Sequence, residues 1–138
     1  MYMIRTDGSG VVLWSKTYGS STGYETANSV HQTGDGGFIA AGWTDGFGAG
    51  GYDAYLVKTD ANGDTLWTKT YGGTSALYGD AAYCVQLTND GGFIIAGEYD
   101  DGSGLADMFL VKTDSLGNSG CNVFGRSEER RVGKECRL

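Results

Sequence analysis

Aromatic rings set among carboxylates are the residues of this sequence best suited to ligand chemistry. Trp43, Asp45, Phe47 and Tyr52 fall in one glycine-rich stretch, GWTDGFGAGGYDA. Tyr99, Asp100 and Asp101 fall in a second, GEYDDGSGLADM, and Tyr24 and Tyr78 in GSSTGYETA and GGTSALYGDAA. A flat ring can stack on the apolar face of a sugar while a nearby carboxylate accepts hydrogen bonds from its hydroxyls. Trp43, Asp45, Phe47, Tyr52, Tyr78, Tyr99, Asp100 and Asp101 are therefore the candidate ligand contacts. The competing reading packs the rings against neighbouring structure and leaves the acids to keep the surface solvated.

Other chemistry-bearing residues are weaker candidates. DANGD (Asp60 to Asp64) has the D-x-N-x-D spacing of a calcium loop, but Thr65 stands where that loop needs glycine, and the related turns DGSGV and DSLGN lack the acids. A hairpin turn is the expected reading, and no metal or cofactor is assigned. His31 is the sole histidine and its slot in the next repeat holds Gln86, so it is expected on the surface, with nothing to place it in a Ser-His-Asp site. Cys84, Cys121 and Cys136 show no metal-type spacing and no disulfide framework. Cys84 has Ser29 as its counterpart and is expected to be a buried small hydrophobe. Asp53 and Asp107 recur at one slot, Glu25 and Asp80 at another, and acids at fixed slots are expected to accept backbone N–H groups and order loops. No residue is assigned as catalytic.

The elements that must position these residues follow from an internal repeat. YMIRTDGSG, YLVKTDANG and FLVKTDSLG align, as do VVLWSKTYGS with DTLWTKTYGG and ANSVHQTGDGGFIAAG with AAYCVQLTNDGGFIIAG. Tyr2 to Tyr55 and Trp14 to Trp67 are each 53 residues, and Phe38 to Phe93 is 55. A period of this length marks a repeat architecture. With 25 glycines, no proline and many aromatic and β-branched residues in 138 positions, the chain is expected to be all-β. Each period reads as four strands, a to d: Ala81 to Thr88, Phe93 to Gly97, Tyr55 to Asp60 and Thr65 to Tyr71. Strands b and c are apolar on both faces and must be covered twice. Strand d puts Trp67, Lys69 and Tyr71 on one face. Four antiparallel strands, repeated and covered on both faces by their neighbours, describe a β-propeller blade. A stacked β-solenoid, calcium-stabilised in one version, is the alternative; it fits tight antiparallel hairpins less well.

The recurring W-x-K-T-Y-G-G, D-G-G-F-x-x-A-G and L-V-K-T-D-x-x-G units resemble those of secreted or cell-surface prokaryotic β-propeller repeat proteins. The resemblance covers Tyr2 to about Gly117. It implies an extracellular or cell-surface parent protein and leaves the biochemical role open.

Beyond Gly117 the pattern breaks. NSGCNVFG replaces the strand d that is due, and RSEERRVGKEC (Arg126 to Cys136) resembles a translated sequencing adapter. Setting residues 126–138 aside leaves five Lys and Arg against fourteen Asp and Glu, a net charge of −9 where the whole chain has −7. Either value lacks the basic footprint of a nucleic-acid binder. No apolar run is long enough for a transmembrane helix, and no signal peptide is visible. Met1 aligns inside strand c, so the chain is read as a metagenomic fragment of about two and a half blades: residues 1–24 (c–d), 25–78 (complete), 79–117 (a–b–c), a divergent end segment 118–125, and the non-native tail 126–138. In this arrangement the b→c and d→a loops, which carry the candidate contacts, share one face. The expected role is a non-catalytic scaffold, or a platform for adhesion or ligand binding, with polysaccharide, a cell-surface protein and the parent's neighbouring blades as partners. The alternative is part of a propeller glycan hydrolase or lyase whose catalytic residues lie on other blades.

Overall fold

The computed structural model describes residues 1–73, 79–100, 102, 105–120 and 122–124. Among them are ten strands and no helix: β1 (Tyr2–Thr6), β2 (Val12–Thr17), β3 (Glu25–Gln32), β4 (Phe38–Thr44), β5 (Asp53–Thr59), β6 (Thr65–Tyr71), β7 (Ala81–Leu87), β8 (Phe93–Asp100), β9 (Ala106–Thr113) and β10 (Asn122–Phe124). They form three antiparallel sheets, β1-β2, β3-β4-β5-β6 and β7-β8-β9-β10. The described residues are all-β, and among them the three sheets do not close on one another. The strands fall where the repeat places them. Residues 118–125, expected to lack strand d, nevertheless supply β10, which pairs with β9 where a strand d would lie.

Short turns set this topology. Between β3 and β4 the Asp35 carboxylate accepts hydrogen bonds from Thr33 Oγ1 (2.5 Å) and Gly37 N–H (2.9 Å), while Lys58 Nζ reaches its other oxygen at 2.8 Å. Asp90 repeats the arrangement with Thr88, Gly92 and Lys112. In the DANGD turn Asp60 Oδ1 accepts the N–H groups of Asn62 and Asp64, both at 2.8 Å. Asp7 and Asp114 do the same in the sister turns, so the acidic spacing serves a hairpin.

The middle sheet is covered on both faces, and every residue of β5 is buried. Ile39, Ala41, Ala54 and Leu56 pack on one side with Ala82, Val85, Phe93, Ile95, Phe109 and Val111 of the β7–β10 sheet. Ala40, Tyr55 and Val57 pack on the other with Met3 and Tyr18 of the β1–β2 sheet. Period-two alternation splits β4 and β5 between two cores, which is why both strands read as continuous apolar runs.

The two sheet interfaces are made alike. Tyr18 Oη donates to Gly63 O (2.7 Å) and Tyr71 Oη to Gly117 O (2.6 Å). A Cβ on Gly63 would lie 3.0 Å from the Trp14 ring, and one on Gly117 would lie 2.9 Å from the Trp67 ring. Each strand d thus lays its Trp and Tyr on the next sheet's turn, where glycine at φ near 79° or 75° leaves room. Lys16 and Lys69 extend the same face to Asp64 and Asn118. Replacing Tyr71 by Phe removes one buried donor and leaves the Gly117 carbonyl unpaired. The expected loss is about 1–2 kcal/mol in urea unfolding, with Tyr18→Phe costing a similar amount.

Cys84 departs from expectation. It is exposed rather than buried. It lies just past a register shift between Ala82 and Cys84. Its counterpart Ser29 faces the β7–β10 sheet and its Oγ accepts Val85 N–H at 3.3 Å, whereas no described sheet covers the corresponding face of β7. His31 is exposed, as its slot implied.

Candidate functional site

The long loops emerge from the same ends of the sheets, and acids at the strand ends tie them together. Glu25 Oε1 accepts Ser20 N–H (2.9 Å) and Thr44 Oγ1–H (3.2 Å), joining the loop before β3 to the end of β4. Asp80 makes the matching link in the next sheet: Oδ2 accepts Gly73 N–H (2.7 Å) and Oδ1 accepts Asp100 N–H (2.9 Å). Asp80 N–H also donates to Tyr52 O (2.7 Å), joining the β4–β5 loop to the start of β7. The fixed-slot acids Glu25 and Asp80 therefore order loops, as their recurrence implied.

The candidate aromatics pair locally. Trp43, on β4, meets Tyr52 edge-to-face at 4.5 Å and 69°. Phe47 stacks on Tyr55 at 5.7 Å and 28°. Tyr52 and Phe47 remain exposed although each also contacts a second ring. Asp45 is exposed and accepts Tyr24 N–H, and Tyr24 is itself exposed. This leaves Tyr24, Asp45, Phe47 and Tyr52 as the solvent-facing group on the loop face of the middle sheet.

Tyr99 is half-buried against the core between the two four-stranded sheets, and a Cβ on Gly73 would lie 3.1 Å from its ring. Asp100 is buried, and its Oδ1 accepts Gly102 N–H at 2.7 Å. Neither joins the solvent-facing group. Tyr78 and Asp101 lie outside the described residues.

Sequence reasoning missed how closely Asp53 and Asp80 approach. Both are buried, and a Cβ on Gly72 would lie 2.2 Å from Asp53 Oδ1 and 2.4 Å from Asp80 Oδ2. Burial, and then the nearby Asp80 charge, push the Asp53 carboxyl up to about 6 against a backbone hydrogen bond from Ala49. Burial raises Asp80 as well, opposed by the N–H groups of Asp100 and Gly73. Among the described residues, Asp53 Oδ2 and Asp100 Oδ2 have no hydrogen-bond donor. The available signal was that both acids end loops on the same side of the repeat. Among the described residues no group of three His, Cys, Asp or Glu side chains is placed to hold a metal ion. No helix among them is long and apolar enough to cross a membrane.

The arrangement can offer exposed aromatic rings and one exposed carboxylate to a polar, ring-bearing ligand. No protein-family model matches the chain, and no curated protein matches it.

Proposed function

We propose that the chain is a run of β-propeller repeats from an exported or cell-surface protein, acting as a non-catalytic scaffold or as a platform for adhesion or ligand binding. The observation that carries this reading is the middle sheet. Its strand β5 is buried throughout between two further sheets that use the same Trp, Tyr and Gly contacts. Repetition of one interface is how blades stack, and it frees the loops on one side for recognition. The exposed Phe47 and Tyr52 beside Asp45 suit a sugar ring.

A polysaccharide array tests the platform. Saturable binding is expected, and Tyr52→Ala is expected to weaken it about tenfold or more, since a stacked ring contributes on the order of 1 kcal/mol or more. Leu116→Ala, in the β9–β10 turn on the far side of the repeat, should leave it unchanged. Release of reducing ends from a bound glycan would overturn the non-catalytic reading.

A further inference from the structure

In the two four-stranded sheets, β5 is flanked by β4 and β9 by β8, but among the described residues no strand lies beside the corresponding edge of β1. Next to that edge, between the β1–β2 sheet and β3, lies a groove of about 500 Å³ whose lining includes Met3, Arg5, Trp14, Asn28, Val30 and Phe38.

The repeat shows what such a groove is shaped to hold. Val30 and Val85 occupy the same position in β3 and β7, opposite Ala40 and Ile95. Val85 is 0% exposed beneath the β3–β4 hairpin, whereas Val30 is 54% exposed. Ala82 is likewise fully buried and its counterpart Ala27 is exposed. The contacts over β7 are polar as well as apolar. Asn28 Nδ2 donates to Ala82 O at 2.9 Å, and Ser29 Oγ accepts Val85 N–H at 3.3 Å. The matching backbone groups on β3 are the carbonyl of Ala27 and the N–H of Val30. An open strand edge, an apolar strip and an acceptor–donor pair at this spacing together specify another β-hairpin rather than a small molecule.

We propose that this groove docks a β-hairpin with the repeat's own strand a–turn–strand b sequence, its second strand adding antiparallel to β1 and its first covering β3. The register follows from the existing pairs. Phe38 faces Thr59 and Ala41 faces Leu56, just as Phe93 faces Thr113 and Ala96 faces Leu110. The docked hairpin therefore sets its phenylalanine opposite Thr6 and its alanine opposite Met3. Its Asn and Ser then meet Ala27 O and Val30 N–H. The inference rests on the stacked-sheet part of the proposed function and on no ligand, so glycan binding and hairpin docking can fail separately.

The probe is a synthetic peptide spanning residues 25–44, added to the full chain and followed by amide hydrogen exchange. Saturable slowing of exchange at Tyr2–Thr6 and at Val30 is expected. A peptide carrying Asn28→Ala and Ser29→Ala should bind about tenfold more weakly, and Val30→Asp in the chain, at an exposed position, should abolish docking. Equal protection by a scrambled peptide, or no protection at millimolar peptide while the chain stays folded, would overturn the proposal. Protection that rises with chain concentration and gains nothing from peptide would assign the groove to a second copy and overturn it too.

Discussion

Gly42→Ala is expected to cost ~3 kcal/mol or more, enough to unfold much of a marginally stable chain, although alanine in a strand is normally the better residue by about 0.5–1 kcal/mol. A Cβ built on Gly42 lies 1.9 Å from Thr26 O and 2.7 Å from Thr26 C. Those are backbone atoms of the paired strand at a register shift between Ala27 and Ser29, so no side-chain rotation relieves the clash. The β3–β4 ladder would have to open. Both cores would feel the change, because β4 contributes Ile39 and Ala41 to one and Ala40 to the other. Gly97 sits at the equivalent bulge, 1.9 Å from Ala81 O by the same construction, and Gly97→Ala should behave alike. Gly34 is the control: nothing lies within 4 Å of its added Cβ, and Gly34→Ala should stay within about 0.5 kcal/mol of the parent. Urea midpoints read from tryptophan fluorescence decide the matter. Equal midpoints for Gly42→Ala and Gly34→Ala would show that β3 and β4 do not pair as described.

The repeat made the strands legible. Apolar runs such as Phe38-Ile39-Ala40-Ala41 could only be strands covered twice, and they are split between two cores. The D-G-G and D-x-x-G turns were legible for the same reason, since a carboxylate two residues before a backbone N–H donor is local chemistry. Exposure was harder to read. Cys84 looked buried by its neighbours, but burial there depends on whether a sheet lies above β7, which strand composition does not encode. β10 escaped because a three-residue strand carries too little pattern to register. Within the site, the loop aromatics were found by type, but which of them face solvent was set by long-range partners. Phe47 and Tyr52 stay exposed while each contacts a second ring, whereas Asp100 is buried and holds its own loop. The Asp53–Asp80 approach stayed hidden for a related reason: the two residues are brought together across sheets, and only the close passage of Gly72 reveals it.

That approach gives the second large effect. Asp53 titrates near 6 in the folded chain against an ordinary value of 3.8. Between these values the folded chain binds more protons than the unfolded one, so stability falls as pH rises from about 4 to about 6 and the penalty persists above. A shift of about two units corresponds to at most ~3 kcal/mol. Asp53→Asn keeps the size and removes the charge, so the variant is expected to be about 1–3 kcal/mol more stable than the parent at pH 7.5 and nearly equal to it at pH 4. Asp35 does not confuse the comparison. Its hydrogen bond from Lys58, with further ones from Thr33 and Gly37, holds it well below the usual carboxylate range, so its stabilisation is lost only as pH falls below about 3.8. Asp80→Asn should gain less than Asp53→Asn at neutral pH, because the relief of its own desolvated charge is offset by lost hydrogen bonding. The substitution weakens the acceptor for Gly73 N–H and Asp100 N–H and so loosens two loops at once. Urea midpoints at pH 4, 5, 6 and 7.5 check both variants. If the Asp53→Asn and parent curves run parallel across that range, Asp53 ionises as an ordinary carboxyl, and the two acids do not share the desolvated space beside Gly72.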